Sequence, residues 1–320
     1  MLPLNTYDPE GSLWLLDKPL TWTSFDVVNK VRNILRQKVG HAGTLDPLAS
    51  GLLILGSGRG TRLMDQVMGQ DKEYTGTLRL GQTTPSADRE TPVDNLRPWE
   101  HLSQPDIRAA AAELTGTIQQ RPPRFSAVRI DGKRAYQLAR KGKRPEVEPE
   151  PRPVTVHAFD ITAIEGPDVS FRVACGKGTY IRSLARDLGE ALGCGAHLTS
   201  LIRTRIGDYH LADALTIEQM VELGKVLRQP VDRELAVYDR QTNVLIRREN
   251  INHVPLLALT RAFEPDPADF LMLDCYEVTE KEAGLLKAEG AELPVTDVSH
   301  YRYFVECTQS APEGGKMAFE

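Results

Sequence analysis

Residues 153–176 read PVTVHAFDITAIEG and then PDVSFRVACG, two stretches that alternate apolar and polar positions and follow each other directly. A period of two marks strands with one buried face. Val169, Phe171, Val173 and Cys175 share one such face. Adjacent strands with no helix between them pair antiparallel, because a parallel partner needs a crossover of a dozen or more residues. Helical spacing lies between such groups. TSFDVVNKVRNIL (23–35) puts Val27, Val28, Val31, Ile34 and Leu35 on one side, behind a Thr23 or Ser24 cap. Asp106 begins a second helix that Gly116 stops, and 179–193 and 215–227 are two more. SLWLLDKP (12–19) reads as a strand stopped by Pro19, KEYTGTLRLG (72–81) as a strand with Tyr74, Gly76, Leu78 and Leu80 on one face, and 88–100 as polar loop. Strict β-α-β alternation is missing. The expected class is α+β, with a mixed, largely antiparallel central sheet flanked by helices and a small β-rich C-terminal appendage.

With 320 residues the chain has room for two domains. The expected division is 1–240 and 241–320, because after about residue 235 the pattern weakens to short strand-like runs and the charge changes sign. Residues 1–250 hold 34 Lys and Arg against 31 Asp and Glu, a balance of +3; residues 251–320 hold 5 against 13, a balance of −8. Within the first part, 121–144 carries nine basic residues and one acid, Asp131. Local fields steer charged ligands, so a net charge of −5 does not exclude a nucleic acid. The four cysteines lie far apart with no CxxC pair, which fits reduced thiols rather than a metal site. The first residues lack the basic and apolar regions of a signal peptide, and LLIL (52–55) is far short of a membrane span. A cytoplasmic protein is expected.

GSGRGTR (56–62) lacks the Lys–Ser/Thr pair of a phosphate loop and reads as a flexible connection. Asp46 stands alone in GHAGTLDPLASGLLILG (40–56), among small residues and ahead of an apolar run. A carboxylate there can serve as ligand, base, nucleophile or cap. Gly40, Gly43 and Gly51 leave room for a planar ligand or another backbone.

Five ordered blocks over roughly 12–215 resemble the TruB family of tRNA pseudouridine synthases: LLDKPLTWTSFDVVNKVR, GHAGTLDPLASGLLILGSGRGTRL, DKEYTGTLRLGQTTPSAD, RPPRFSAVRIDGKRAYQLARKGK and CGKGTYIRSLARDLGEALGCGAHLTSLIRT. The resemblance implies the pseudouridine synthase fold and an isomerase without cofactor or metal. Such an enzyme breaks the N1–C1′ bond of a T-loop uridine of tRNA and rejoins C5 to C1′. By position in these blocks, Asp46 corresponds to the catalytic aspartate, Tyr74 to the tyrosine on the target base and Arg182 to the aspartate's ionic partner. Tyr180 and Gly43 would line the same pocket, Lys18 with Pro19 would support its floor, and His41 would enter the RNA loop when the base flips out. The basic stretch resembles an insertion (about 121–150) that clamps RNA, with Arg140, Lys141, Lys143 and Arg144 on phosphates. The implied partner is tRNA, with no membrane, and the expected state is a monomer. The rival reading is a non-catalytic tRNA-binding or tRNA-folding protein on the same scaffold, against which the intact Asp46, Tyr74 and Arg182 speak. Residues 241–320 have the length of a PUA-like module without its glycine-rich signature.

Overall fold

The computed structural model describes residues 4–8, 10–123 and 150–227, together with the backbone of short strands within 129–134 and 230–306. Arg140, Lys141, Lys143 and Arg144 lie outside the described residues.

The strands in chain order are β1 (Leu13–Lys18), β2 (Val39–Ala42), β3 (Ser50–Ser57), β4 (Lys72–Leu80), β5 (Gln82–Thr83), β6 (Asn95–Leu96) and β7 (Gly116–Gln120). A short pair follows, β8 (Arg129–Ile130) with β9 (Lys133–Arg134), then β10 (Arg152–Glu165), β11 (Asp168–Cys175), β12 (Ala196–Ile206) and β13 (Tyr209–His210). Nine of them form one sheet in the order β1-β3-β12-β4-β11-β10-β7, with β2 added to β3 and β13 to β12. All its pairings are antiparallel except β3 with β12, which meet in parallel through Ser50–Ile202 and Gly51–Arg203. The helices are α1 (Ser24–Leu35), α2 (Met64–Met68), α3 (Gln104–Glu113), α4 (Ile181–Ala191) and α5 (Ile217–Val226).

Three apolar clusters hold these layers. α3 and α4 bury Ile107, Ala111, Ile181, Leu184 and Leu188 against β4, β10, β11 and β12, where Phe159 meets Phe171 edge-on at 5.7 Å. α1 and α5 cover one face of β1 and β3 through Val27, Val31 and Met220 against Trp14, Leu16 and Leu53, while Leu13, Leu15, Leu52 and Ile54 pack on the other face with Met64 and Val67. Being covered on both sides, these two strands are apolar in continuous runs rather than in alternation. The indole of Trp14 donates to Ser57 Oγ at 3.0 Å, so its burial leaves no orphan donor.

Three expectations change. α3 starts at Gln104, not at Asp106: Ser103 is its cap and Asp106 is the third helical residue of a capping box, returning a bond to the Ser103 backbone. The 88–100 loop contains β6, paired with β5. The GSGRGTR segment is no flexible connection. It winds into a 3₁₀ turn (Gly58–Leu63) so close to the N-terminal strand that a Cβ on Gly60 would sit 2.4 Å from Ser12 O.

A second sheet, in the order β16-β15-β20-β19-β18, is built from β15 (Glu234–Asp239), β16 (Leu245–Asn250), β18 (Phe263–Glu264), β19 (Cys275–Val278) and β20 (Tyr301–Glu306); β14 (Pro230–Val231) pairs with β17 (Val254–Pro255). The boundary expected at residue 240 thus falls just after the first long strand of this sheet.

Candidate active site

Asp46 sits in the connection from β2 to β3, and that connection is fastened on both sides. Ser24, the buried first residue of α1, grips Leu45 with one hydroxyl: Leu45 N–H donates to Ser24 Oγ at 2.8 Å and Ser24 Oγ–H donates to Leu45 O at 3.1 Å. Thr21 N–H donates to Pro47 O at 2.8 Å. The backbone carbonyl of Asp46, not its carboxylate, closes the local turn by accepting from Ala49 N. The carboxylate is left to face Arg182, whose Nε donates to Oδ2 at 2.9 Å.

Arg182 lies in the first turn of α4, 4% exposed. Its Nη1 donates to Ser86 O at 3.0 Å, and the Asp88 carboxylate stands 3.7 Å from Nε. The start of α4 is held by the buried Gln120 at the end of β7, which accepts from Tyr180 N at 2.8 Å and donates to Tyr180 O at 3.1 Å. One amide therefore fixes where the helix begins and where its arginine points.

The Asp46 side chain keeps 40% of its surface exposed, yet the surrounding walls remove enough water to push its carboxyl above the ordinary carboxylate range. Arg182 opposes that push, and the charges of Asp88 and Glu90 add to it. Tyr74, buried on β4, has its phenol raised by burial, a rise partly opposed by the Arg203 guanidinium on the neighbouring strand.

Asp46, Tyr74, Arg182, Tyr180 and Gly43 line one open cleft, together with Lys72, Leu201 and Arg203. At its rim the Arg152 guanidinium stacks over the Tyr180 ring at 5.2 Å. Two expected site residues do not line it. Lys18 is fully buried and donates to Pro19 O at 2.8 Å and Trp22 O at 2.6 Å; burial brings its ammonium down to about 8, against the pull of Asp46. It fastens the turn that in turn fastens Pro47. His41 is half-buried on β2 opposite Leu55, and burial lowers its pKa, with the charge of Arg203 adding to the effect. Of the three glycines, Gly51 admits a backbone rather than a ligand: it has φ +98° and a Cβ there would lie 2.5 Å from Arg203 O.

Two residues of this site were not singled out in the sequence, Asp88 and Arg203. Both fall inside the matched blocks, SAD and LIRT, which was the available signal. Among the described residues no group of three or more His, Cys, Asp or Glu is placed to hold a metal ion, and no helix is long and apolar enough to cross a membrane. Cys175 and Cys194 are free and buried.

Asp46 and Tyr74 fall within one stretch that matches a known family, and Arg182 and Arg203 within a second. The TruB family pseudouridylate synthase N-terminal domain matches residues 32–181, and the C-terminal domain of tRNA pseudouridylate synthase B matches 182–240. The tRNA pseudouridine synthase B of Flavobacterium johnsoniae is 49% identical over 216 residues, 65% of this chain and 93% of that protein. The chain belongs to the TruB family. Another relative of the same name, from Chloroherpeton thalassium, is 49% identical over 224 residues, 68% of this chain and 92% of that protein. Among solved structures, a Cbf5-Nop10-Gar1 complex aligns with a TM-score of 0.52 at 31% identity, covering 69% of this chain and 58% of the other, so this TruB-family chain spans little more than half of that protein's length. Residues 232–306 match a domain of unknown function.

Proposed function

We propose that this enzyme is a stand-alone tRNA pseudouridine synthase that isomerises the T-loop uridine conventionally numbered 55. The observation that carries the reading is the Asp46–Arg182 pair, 2.9 Å apart at the wall of an open cleft that also presents Tyr74. The reaction exchanges one bond for another within one nucleotide. N1–C1′ breaks, the base turns and C5–C1′ forms; C5 loses a proton and N1 gains one, so substrate and product are isomers. An ionised carboxylate beside C1′ serves as nucleophile or as counter-charge while the glycosidic bond opens. Arg182 orients Asp46 and favours its ionised form against the desolvation around it. The Tyr74 phenol, whose pKa burial raises, faces the base and relays the late proton transfer, passing its own proton on as it takes the one from C5.

A uridine inside a folded loop must leave its stack to reach this cleft, at a cost of a few kcal/mol. His41 on β2 would fill the vacancy, and the basic insertion would close on the RNA. The assignment extends to a monomeric, cytoplasmic enzyme that recognises the T-arm, with its catalytic domain in 1–240 and an appendage after it.

The deciding experiment incubates the full chain alone with an unmodified tRNA transcript and maps pseudouridine at nucleotide resolution, wild type beside Asp46→Asn. Product at position 55 with wild type and none with the variant is expected. No product from wild type would leave the non-catalytic tRNA-binding reading standing. Product only after adding a guide RNA or protein would remove the stand-alone claim.

A further inference from the structure

Lys72 on β4 is 6% exposed and Arg203 on β12 is 1% exposed, and both line the cleft. Among the described residues neither forms an ion pair. Neutral carbonyls hold them instead. Lys72 Nζ donates to Met68 O at 2.6 Å and to Gln70 O. Arg203 donates through Nε to Leu52 O at 2.7 Å and through Nη2 to Gly43 O at 3.0 Å. Lys18 is buried in the same way, but it does not line the cleft. Carbonyl oxygens satisfy donors without cancelling charge, so two buried cations at one wall are costly and leave that wall electropositive. Burial, with the charge of Arg203 adding to it, lowers the Lys72 pKa and reflects that cost.

Tyr74 lies between the two charges. It is two residues along β4 from Lys72 and directly opposite Arg203 across the β4–β12 pairing. Residues two apart on a strand, and residues paired across neighbouring strands, leave the sheet on the same face. Asp46 lines the cleft as well, with its carboxylate engaged by Arg182.

The geometry points to the wall formed by Lys72 and Arg203 as a subsite for the negatively charged uracil ring that exists while the base is detached. This rests on the functional reading above and adds to it the groups that meet the leaving base. When N1–C1′ opens, the bonding pair stays with N1, and the ring holds one negative charge spread over N1, O2 and O4. That charge is consumed when C5 supplies the pair that forms C5–C1′; the later move of a proton from C5 to N1 changes no net charge. Asp46 serves the sugar carbon, which becomes electron-poor, and the two cations serve the base. Fixed charges in a walled site stabilise such a transient anion without having to reorganise around it.

The test uses the full chain with Lys72→Gln, Arg203→Gln and Arg203→Lys, on tRNA transcripts carrying uridine or 5-fluorouridine at position 55. Single-turnover loss of the target nucleoside, tRNA affinity and its salt dependence are measured for each. Fluorine withdraws charge from the ring, so 5-fluorouracil leaves with less help. Each Gln variant is expected to slow the reaction of uridine about 100–1000-fold, the scale of removing one group that meets a developing anion. On 5-fluorouridine the same variants are expected to lose at least about tenfold less. Arg203→Lys keeps the charge and is expected to react at least about tenfold faster than Arg203→Gln. Affinity for tRNA and its salt slope are expected to hold.

A merely structural role predicts equal losses on the two bases. A contact with an RNA phosphate predicts weaker tRNA binding and a salt slope flattened by about 0.7–0.9. Either result overturns the proposal. If one Gln variant does not fold, the other carries all the measurements. If wild type converts no uridine, the functional reading fails; if it does and the variants lose equally on both bases, this inference alone fails.

Discussion

Asp46 carries a stability signature as well as a chemical one. Its carboxyl is raised in the folded protein, so between the ordinary carboxylate value of 3.8 and the folded value the native state binds the extra proton. Stability from this group therefore falls as pH rises through that window and stays lowered at neutral pH. Asn at position 46 has no proton to lose. Urea unfolding should show Asp46→Asn gaining on wild type as pH is raised from about 4 to 7; a constant difference would mean the carboxyl is not desolvated as described. Asp88 offers a second residue-level test. Its charge adds to the rise of Asp46, so Asp88→Asn lowers the Asp46 pKa and moves the acid limb of the pH–rate profile to lower pH. An acid limb that stays put or moves up would separate Asp88 from the ionisation of Asp46.

At the level of elements, the start of α4 depends on one buried amide. Gln120→Ala leaves both backbone groups of Tyr180 without that partner, and should cost about 1–3 kcal/mol in urea unfolding and slow the single-turnover rate more than it weakens tRNA binding. Gly51→Ala attacks the only parallel seam among the described pairings of the main sheet: a left-handed φ and a clash with Arg203 O together should destabilise by about 2–4 kcal/mol, read as a lowered urea midpoint. The same seam explains what the sequence could and could not disclose. α1 was legible because cap, spacing and buried face all agree. β12 was not, because register shifts between Leu198 and Ser200 and between Arg203 and Arg205 break its alternation. The second shift also separates two arginines that look alike in sequence: Arg203 lies opposite Tyr74 in the register, and Arg205 lies opposite Glu73 on the other face. Only the neighbouring strands make one a buried hub and the other a surface charge. Asp46 and Arg182 were legible through the matched blocks, since nothing local in either segment points to the other.

For the whole molecule, charge is divided along the chain, and RNA affinity should follow the division. Neutralising Arg140, Lys141, Lys143 and Arg144 should weaken tRNA binding and flatten its salt dependence, by up to about 0.7–0.9 in log–log slope for each phosphate that is no longer neutralised. An unchanged slope would mean that these four do not neutralise phosphates. The acidic 251–320 segment, at −8, should contribute little to that slope. The site also has a history within each molecule's synthesis. Asp46 meets Arg182 across 136 positions, and Gly43 meets Arg203 across 160. A ribosome adding about 5–20 residues per second needs roughly seven to thirty seconds to cover that distance. For all that time the nascent chain has a TruB aspartate without its guanidinium partner. The cleft stays incomplete until β12, which lies between β3 and β4, has been made, so the last strand of the main sheet to be made, apart from the short β13, is the one that closes the site.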